Sequence, residues 1–463
     1  MGQKKTVLWV VWLIVTFSLG GYFGYHLMSG DKSVFLPGST SHGHYQIEMA
    51  CAACHSESFG GSEVLQEACM NCHGAELKTA NDSHPRSKFT DPRNAERIAK
   101  LDARLCVTCH VEHRPEITIT MAVTVPEDVC MYCHLDIAED RPSHAGMGFE
   151  TCASAGCHNF HDNRGLYEDF LLKHLREADV LPRPRVATRN LRTSLELLDS
   201  YPFDKYPVRQ LSMQQQAAPL DYKQDAKINH QWHETAHAQA GVNCSACHAS
   251  DSSEKGGWIE KPDHSVCMNC HQDEGEGFLA GKHGMRLAQQ LSPMMPAQAR
   301  QPMHNQAYSK ELTCISCHVS HEFNTQYAAV EACLGCHSDK HSQSYKASAH
   351  YSLWRAEQHD ESKTATGVSC ATCHMPRMLE QHGDKARVVV QHNQNDNLRP
   401  NEKMLRGVCM QCHGLSFAID ALADTNLVQG NFNGKPDSHI ESLDMAERRS
   451  LKKRPRPAGE DSG

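Results

Sequence analysis

The sequence predicts a mainly α-helical chain with extensive loops, folded around a core that its own side chains do not supply, plus one N-terminal transmembrane helix. Three observations predict this. All 22 cysteines fall in pairs that end in Cys-His. Only 40% of the 463 residues are hydrophobic and 6% aromatic, a thin supply for a chain of this length. One uncharged apolar run, Val7–Tyr25, stands alone near the start.

The cysteines decide the most. Ten pairs read C-x-x-C-H: Cys51/Cys54, Cys69/Cys72, Cys106/Cys109, Cys130/Cys133, Cys244/Cys247, Cys267/Cys270, Cys314/Cys317, Cys333/Cys336, Cys370/Cys373 and Cys409/Cys412. The eleventh is wider, Cys152 to Cys157 followed by His158. C-x-x-C-H is the attachment signature of c-type haem: two thiols form thioethers and the adjacent imidazole sits under the iron. A zinc ribbon does not need His after each second Cys. A disulfide scaffold needs no His, and a thioredoxin-type motif would occur once. The residues therefore predict eleven covalently bound c-type haems. Their proximal ligands are His55, His73, His110, His134, His158, His248, His271, His318, His337, His374 and His413. In the wider site the extra residues loop out to keep the thioether spacing. Each haem is a large apolar disc, so the chain need only wrap the discs. The expected fold is a multihaem cytochrome c whose apoprotein does not fold.

At 1.5 Å per residue, Val7–Tyr25 spans roughly 28 Å, about one hydrocarbon core. Lys4 and Lys5 precede it, which leaves the N-terminus in the cytoplasm and the remainder outside. A cleaved signal peptide competes. The run is longer than a usual signal core, however, and the following residues through Met28 lack an A-x-A-like site. The expectation is a single-pass inner-membrane protein with its bulk in the periplasm, where haem attachment also requires the thiols. Expected partners are the membrane and redox proteins such as a quinol dehydrogenase or other periplasmic cytochromes. The net charge of −9 disfavours nucleic acid.

Motif spacing divides the chain. Residues 1–30 are the cytoplasmic stub and anchor, and 31–175 a five-haem electron-transfer module. Residues 176–229 form a connector with no Cys or His and with Pro182, Pro184, Pro202, Pro207 and Pro219. The leucines of 189–200 suggest one helix inside it. Residues 230–443 make a six-haem module, and 444–463, charged and Pro-containing, a disordered tail. The only strand candidate is Ala386–Val390. Several motifs lie 18 to 24 residues apart, which forces neighbouring haems close together, as electron tunnelling requires.

Of 32 histidines, eleven are proximal. The five-haem module holds seven others and the six-haem module thirteen, enough for every iron to take a second imidazole. Three motifs continue as C-H-x-x-H. The second His (His113, His161, His321) is too near to reach around its own haem and reads as a ligand to a neighbouring one.

From His304 to about Leu422 the blocks CISCHVSHEF (314–323), EACLGCHSDKHSQSYKASAH (331–350), GVSCATCHMPR (367–377) and HNQNDNLRPNEKMLRGVCMQCHG (392–414) resemble the hydroxylamine oxidoreductase family and its octahaem reductase relatives. The resemblance implies that the haem of Cys314, Cys317 and His318 is catalytic with an open distal side. It implies His350 as proton donor over that face, with Tyr345 in the same block and Asp339 as acidic partner. His341 reads as a ligand to a neighbouring iron. The tail after His413 has no tyrosine to cross-link a catalytic haem, so a reductive direction is expected. The first half resembles small electron-transfer multihaem cytochromes through its haem motifs. The functional expectation is a haem chain feeding a catalytic haem that reduces a small nitrogen or sulfur oxyanion such as nitrite or hydroxylamine. The alternative is a pure electron conduit between the quinol pool and periplasmic or outer-membrane acceptors, with all haems bis-His.

Overall fold

A Cys-x-x-Cys-His segment places its three reactive groups at positions i, i+3 and i+4, which share one face of a helical turn. The backbone takes that turn. The histidine N–H donates to the carbonyl of the first cysteine in His55–Cys51 (2.8 Å), His110–Cys106 (2.9 Å), His134–Cys130 (3.0 Å), His271–Cys267 (2.9 Å), His318–Cys314 (3.0 Å) and His413–Cys409 (2.8 Å). Caps start some of these turns: Asn243 Oδ1 accepts from the Cys244 N–H, and the Ser369 hydroxyl from the Thr372 N–H. In four motifs the turn is a tighter 3-10 one that stops short of the second cysteine. Cys54, Cys109, Cys133 and Cys412 then close it from just outside, each N–H donating to the first cysteine's carbonyl at 3.2, 3.1, 3.3 and 3.1 Å. Both thiols and the imidazole therefore leave one side of a short turn.

The computed structural model describes residues 2–57, 60–82, 84–99, 101, 103–140, 144, 160–162, 168–188, 190–197, 203–223, 225–250, 257–359, 367–398, 403–440 and 442–453. These are mainly short helices and single turns joined by loops. The chain packs as two compact units, Met1–Leu135 and Asp136–Gly463.

In the first unit, the helix Gly2–Met28 is exposed along its length, and Lys4–Met28 is long and apolar enough to cross a membrane. Phe35 folds back onto Phe23, ring centres 5.9 Å apart. The helix Ser62–Thr79 carries the second motif in its interior.

In the second unit the side-chain core is small: Leu171, Leu405, Met410, Leu415, Ala418, Ile419, Leu443 and Ala446. Two elements differ from the sequence expectation. The helix Glu168–His174, expected with the first five motifs, lends Leu171 to this core, so its apolar face belongs to the second unit. The tail expected to be disordered from 444 continues a helix, Ser442–Lys453, because Leu443 and Ala446 fall on one face and bury there. Residues 454–463 of that tail lie outside the described residues.

The connector lies along the last motif. Leu181 N–H donates to Cys412 O (2.8 Å) and Arg185 N–H to Gln411 O (2.7 Å). Its helix is Leu191–Glu196, capped by Asn190. The strand candidate is half of a hairpin, Arg377–His382 against Lys385–Val390, with Arg377 opposite Val390 and His382 opposite Lys385. Gly383 takes φ +61° at the first position of the two-residue turn, which a side chain would strain. Val388 and Val389 anchor the hairpin inward.

Candidate haem sites and their facing histidines

Ten of the motifs lie among the described residues, none with its cysteines in a disulfide. Cys152, Cys157 and His158 lie outside them. The Cys130/Cys133 motif takes the same 3-10 turn as the Cys51, Cys106 and Cys409 motifs: Cys133 stands just past the helix Glu127–Tyr132, and the His134 N–H donates to Cys130 O at 3.0 Å. Cys133 is half-buried next to His134, whose ring faces His84.

Among the described residues no cluster of three or more His, Cys, Asp or Glu converges to hold a bare metal ion. The imidazoles meet in twos instead. In the first unit His44 faces His73 (ring centres 5.8 Å apart) and His84 faces His134 (6.0 Å). In the second, His321 faces His248 (5.9 Å), His237 faces His271 (6.0 Å) and His392 faces His318 (6.3 Å). There too His283 faces His337 (6.2 Å), His341 faces His374 (6.0 Å) and His350 faces His413 (6.2 Å).

Each of these eight pairs joins one motif histidine to one histidine outside the motifs. Two imidazoles on opposite sides of one metal, with metal–nitrogen bonds of about 2.0 Å and about 1.1 Å from nitrogen to ring centre, stand about 6.2 Å apart. The pairs cluster at that value. Histidine contacts with other aromatic rings scatter from 4.5 Å (His248–Trp258) to 6.5 Å (His341–Phe432). The spacing fits a six-coordinate haem iron between the rings.

The second nitrogen of five of these rings carries the same message. A histidine that binds iron through Nε2 needs Nδ1 held by a hydrogen-bond acceptor. His248 Nδ1 meets Ile259 O at 2.6 Å, His413 Nδ1 meets Asp179 O at 2.8 Å, and His392 Nδ1 meets Val390 O at 2.8 Å. His44 Nδ1 meets Glu112 at 2.7 Å, and His341 Nδ1 meets Val428 O at 2.5 Å. At His341 the Asn431 amide also reaches Nε2, at 3.2 Å, and would turn aside for a metal. Burial would raise the Glu112 carboxyl, but hydrogen bonds from His44 and Ser41 hold it at about 2. Burial pushes His237, His283, His350 and His374 down to about 4, which keeps those rings in the neutral form that ligates.

The family model for cytochrome c3 matches this chain twice, over residues 43–135 and 236–338. The chain is 24% identical over 191 residues to the multiheme cytochrome MtrA of Shewanella baltica, covering 38% of this chain and 43% of that protein. It is 29% identical over 104 residues to the acrylate reductase cytochrome subunit of Shewanella woodyi, covering 22% of this chain and 70% of that one. Over these segments the chain is similar to multihaem cytochromes c, at a distance. It thus spans less than half the length of MtrA, while the motifs and facing imidazoles extend beyond the matched segments. Cytochromes of this kind hold c-type haems covalently, which the paired thiols and adjacent histidines of the motifs fit.

The residues singled out for catalysis meet groups other than His318. His350 faces His413, and the ring facing His318 is His392. Tyr345 is buried, its hydroxyl donating to Val368 O (2.8 Å), and its ring lies edge-on to Tyr351. Asp339 caps a helical turn through the Ser342 N–H (3.1 Å) and lies 3.8 Å from His337 Nδ1. Of the C-H-x-x-H histidines, His321 faces His248 of another motif, and His113 has Nδ1 on Gly38 O at 2.8 Å. His161 is described without its motif neighbour His158.

Neighbouring motifs in sequence are neighbours in space. The Cys69 and Cys106 sulfurs are close neighbours, as are Cys267 with Cys314 and Cys333 with Cys370. Cys54 lies near Cys72, Cys109 near Cys130, and Cys247 near Cys267 and Cys270. Cys317 lies near Cys333 and Cys336, and Cys373 near Cys409 and Cys412.

Sequence reasoning did not assign His44, His84, His237, His283 and His392 to particular irons. A signal existed. His44 precedes Cys51 by seven residues and His237 precedes Cys244 by seven; His84 follows Cys69 by 15 and His283 follows Cys267 by 16. Aligning the two matched segments would have exposed these offsets.

Proposed function

We propose that this cytochrome is a membrane-anchored electron conduit with eleven haems, its irons held by paired imidazoles and its haems following one another in chain order within each unit. The observation that carries this reading is the set of eight His–His pairs at 5.8–6.3 Å, each with one motif histidine. An iron with two neutral imidazoles has no vacant position. It exchanges electrons without binding substrate, which suits relay rather than turnover. The helix Lys4–Met28 would hold the chain at the bilayer, the bulk facing the periplasm. Electrons would pass between the quinol pool, or a quinol dehydrogenase, and periplasmic or outer-membrane acceptors. The order of thiol contacts supports a path that runs motif by motif.

The hydroxylamine oxidoreductase-like reading needs an open iron at Cys314/Cys317/His318, with His350, Tyr345 and Asp339 around it. The His392–His318 facing favours the conduit over that reading. Low-temperature spin-state spectroscopy of the full-length ferric holoprotein tests the choice. Only low-spin haems, unchanged by nitrite or hydroxylamine, are expected. A high-spin haem that binds either molecule would replace the conduit with the reductase.

A further inference from the structure

The cytochrome c3 family model matches residues 43–135 and then 236–338, each segment holding four haem motifs. Aligned motif by motif, Cys51 corresponds to Cys244, Cys69 to Cys267, Cys106 to Cys314 and Cys130 to Cys333. The facing imidazoles repeat with the motifs. In both copies the second motif is faced by a histidine seven residues before the first motif: His44 on His73, and His237 on His271. In both, the fourth motif is faced by a histidine 15 or 16 residues after the first Cys of the second: His84 on His134, and His283 on His337. The second copy shows one more pairing. His321, the last residue of its C-H-x-x-H, faces His248 of that copy's first motif.

We propose that His113, the counterpart of His321, is the sixth ligand of the haem iron attached at Cys51, Cys54 and His55. This rests on the haem reading above. Three features of the first copy support it. His113 stands three residues after His110, as His321 does after His318, and both take the left-handed backbone, φ +61° and +66°. That conformation is costly for a residue with a Cβ, so its recurrence at matching positions marks a shared turn. Next, His113 Nδ1 is held by Gly38 O at 2.8 Å, which leaves Nε2 to ligate. Finally, the Glu112 carboxylate lies within electrostatic range of the Cys54 thiol, which sets the 112–113 corner beside the first motif. The His113 and His55 rings are not among the facing pairs of this structure, so the assignment stands on the repeat and on the corner's position.

The test uses the full-length, detergent-solubilised holoprotein and its variants His113→Ala, His113→Met, His42→Ala and His321→Ala. Haem per chain is measured by pyridine haemochrome and spin state by low-temperature EPR and near-infrared magnetic circular dichroism. His113→Ala is expected to keep its haem content and to gain one iron's worth of high-spin signal over wild type. His321→Ala should behave alike at the first haem of the second copy. His113→Met should gain a sulfur-to-iron charge-transfer band, and this decides the matter if the alanine variant is not produced. An unchanged spin state in His113→Ala, an absent band in His113→Met, or a high-spin iron appearing with His42→Ala instead overturns the assignment. An unchanged His321→Ala overturns it too, since the template pairing would be gone. Absence of covalent haem in the wild type would instead sink the underlying reading.

Discussion

A single histidine is settled by where its two nitrogens go. His392, with Nδ1 on the Val390 carbonyl, presents its other nitrogen toward His318. His392→Ala should convert one low-spin haem to a high-spin one that binds nitric oxide or cyanide in a ferric titration. His439 is a contrast. Its Nε2 meets Asp444 and its Nδ1 meets Asp420, both at 3.0 Å, so neither nitrogen is left for a metal. Those bonds, Asp444's first, raise it from 6.5 to about 9. A histidine raised on folding stabilises the fold fully below its unfolded pKa and loses that contribution as pH climbs through the folded one. The melting temperature gap between wild type and His439→Gln should therefore be open at about pH 6 and closed by about pH 10. A gap that does not shrink would remove the ion-pair account. The group is exposed, so the gap should be small and salt-sensitive.

At the scale of elements, short helices with few apolar neighbours hold only where something closes over them. The last helix, Ser442–Lys453, holds by Leu443, which is 2% exposed against Leu171, Leu415 and their neighbours. Leu443→Ala should cost about 2–5 kcal/mol by guanidinium unfolding and should free this helix to proteolysis first. The hairpin depends on Gly383. Gly383→Val forces a branched side chain into positive φ and should cost about 1 kcal/mol or more, read as a lower melting temperature with haem content unchanged. The helix Leu191–Glu196 and the hairpin were both visible as patterns, one by its leucines and one by its valines. The hairpin's first strand, RMLEQH, carries charge and no branched run, so only its partner announced it.

For the whole molecule, the side-chain core among the described residues is small, and the facing imidazoles are spaced for a metal between them. Folding is therefore expected to depend on the cofactor. Chain expressed without haem attachment should show no cooperative thermal transition by circular dichroism, whereas the loaded chain should melt cooperatively. A cooperative melt of the apoprotein would contradict this. The two matched segments also make the molecule two copies of a four-motif unit, with the Cys152/Cys157 motif between them and two further motifs after the second.

The sequence by itself singled out the candidate attachment residues, because C-x-x-C-H is a local code: three groups on one helical turn need no distant partner. It also determined the apolar N-terminal helix, which is set by length and composition alone. It pointed His321 toward another motif, since that ring is too near its own haem to reach around it, and in space His321 faces His248. Which imidazole faces which was decided only by the tertiary structure. His392 reaches His318 across 74 residues, and His350 reaches His413 across 63. Such pairings depend on how loops close, and outside the two matched segments no repeated offset marks them. For the same reason the family blocks around His350 read as an open site in sequence, while in space that ring stands opposite a different motif.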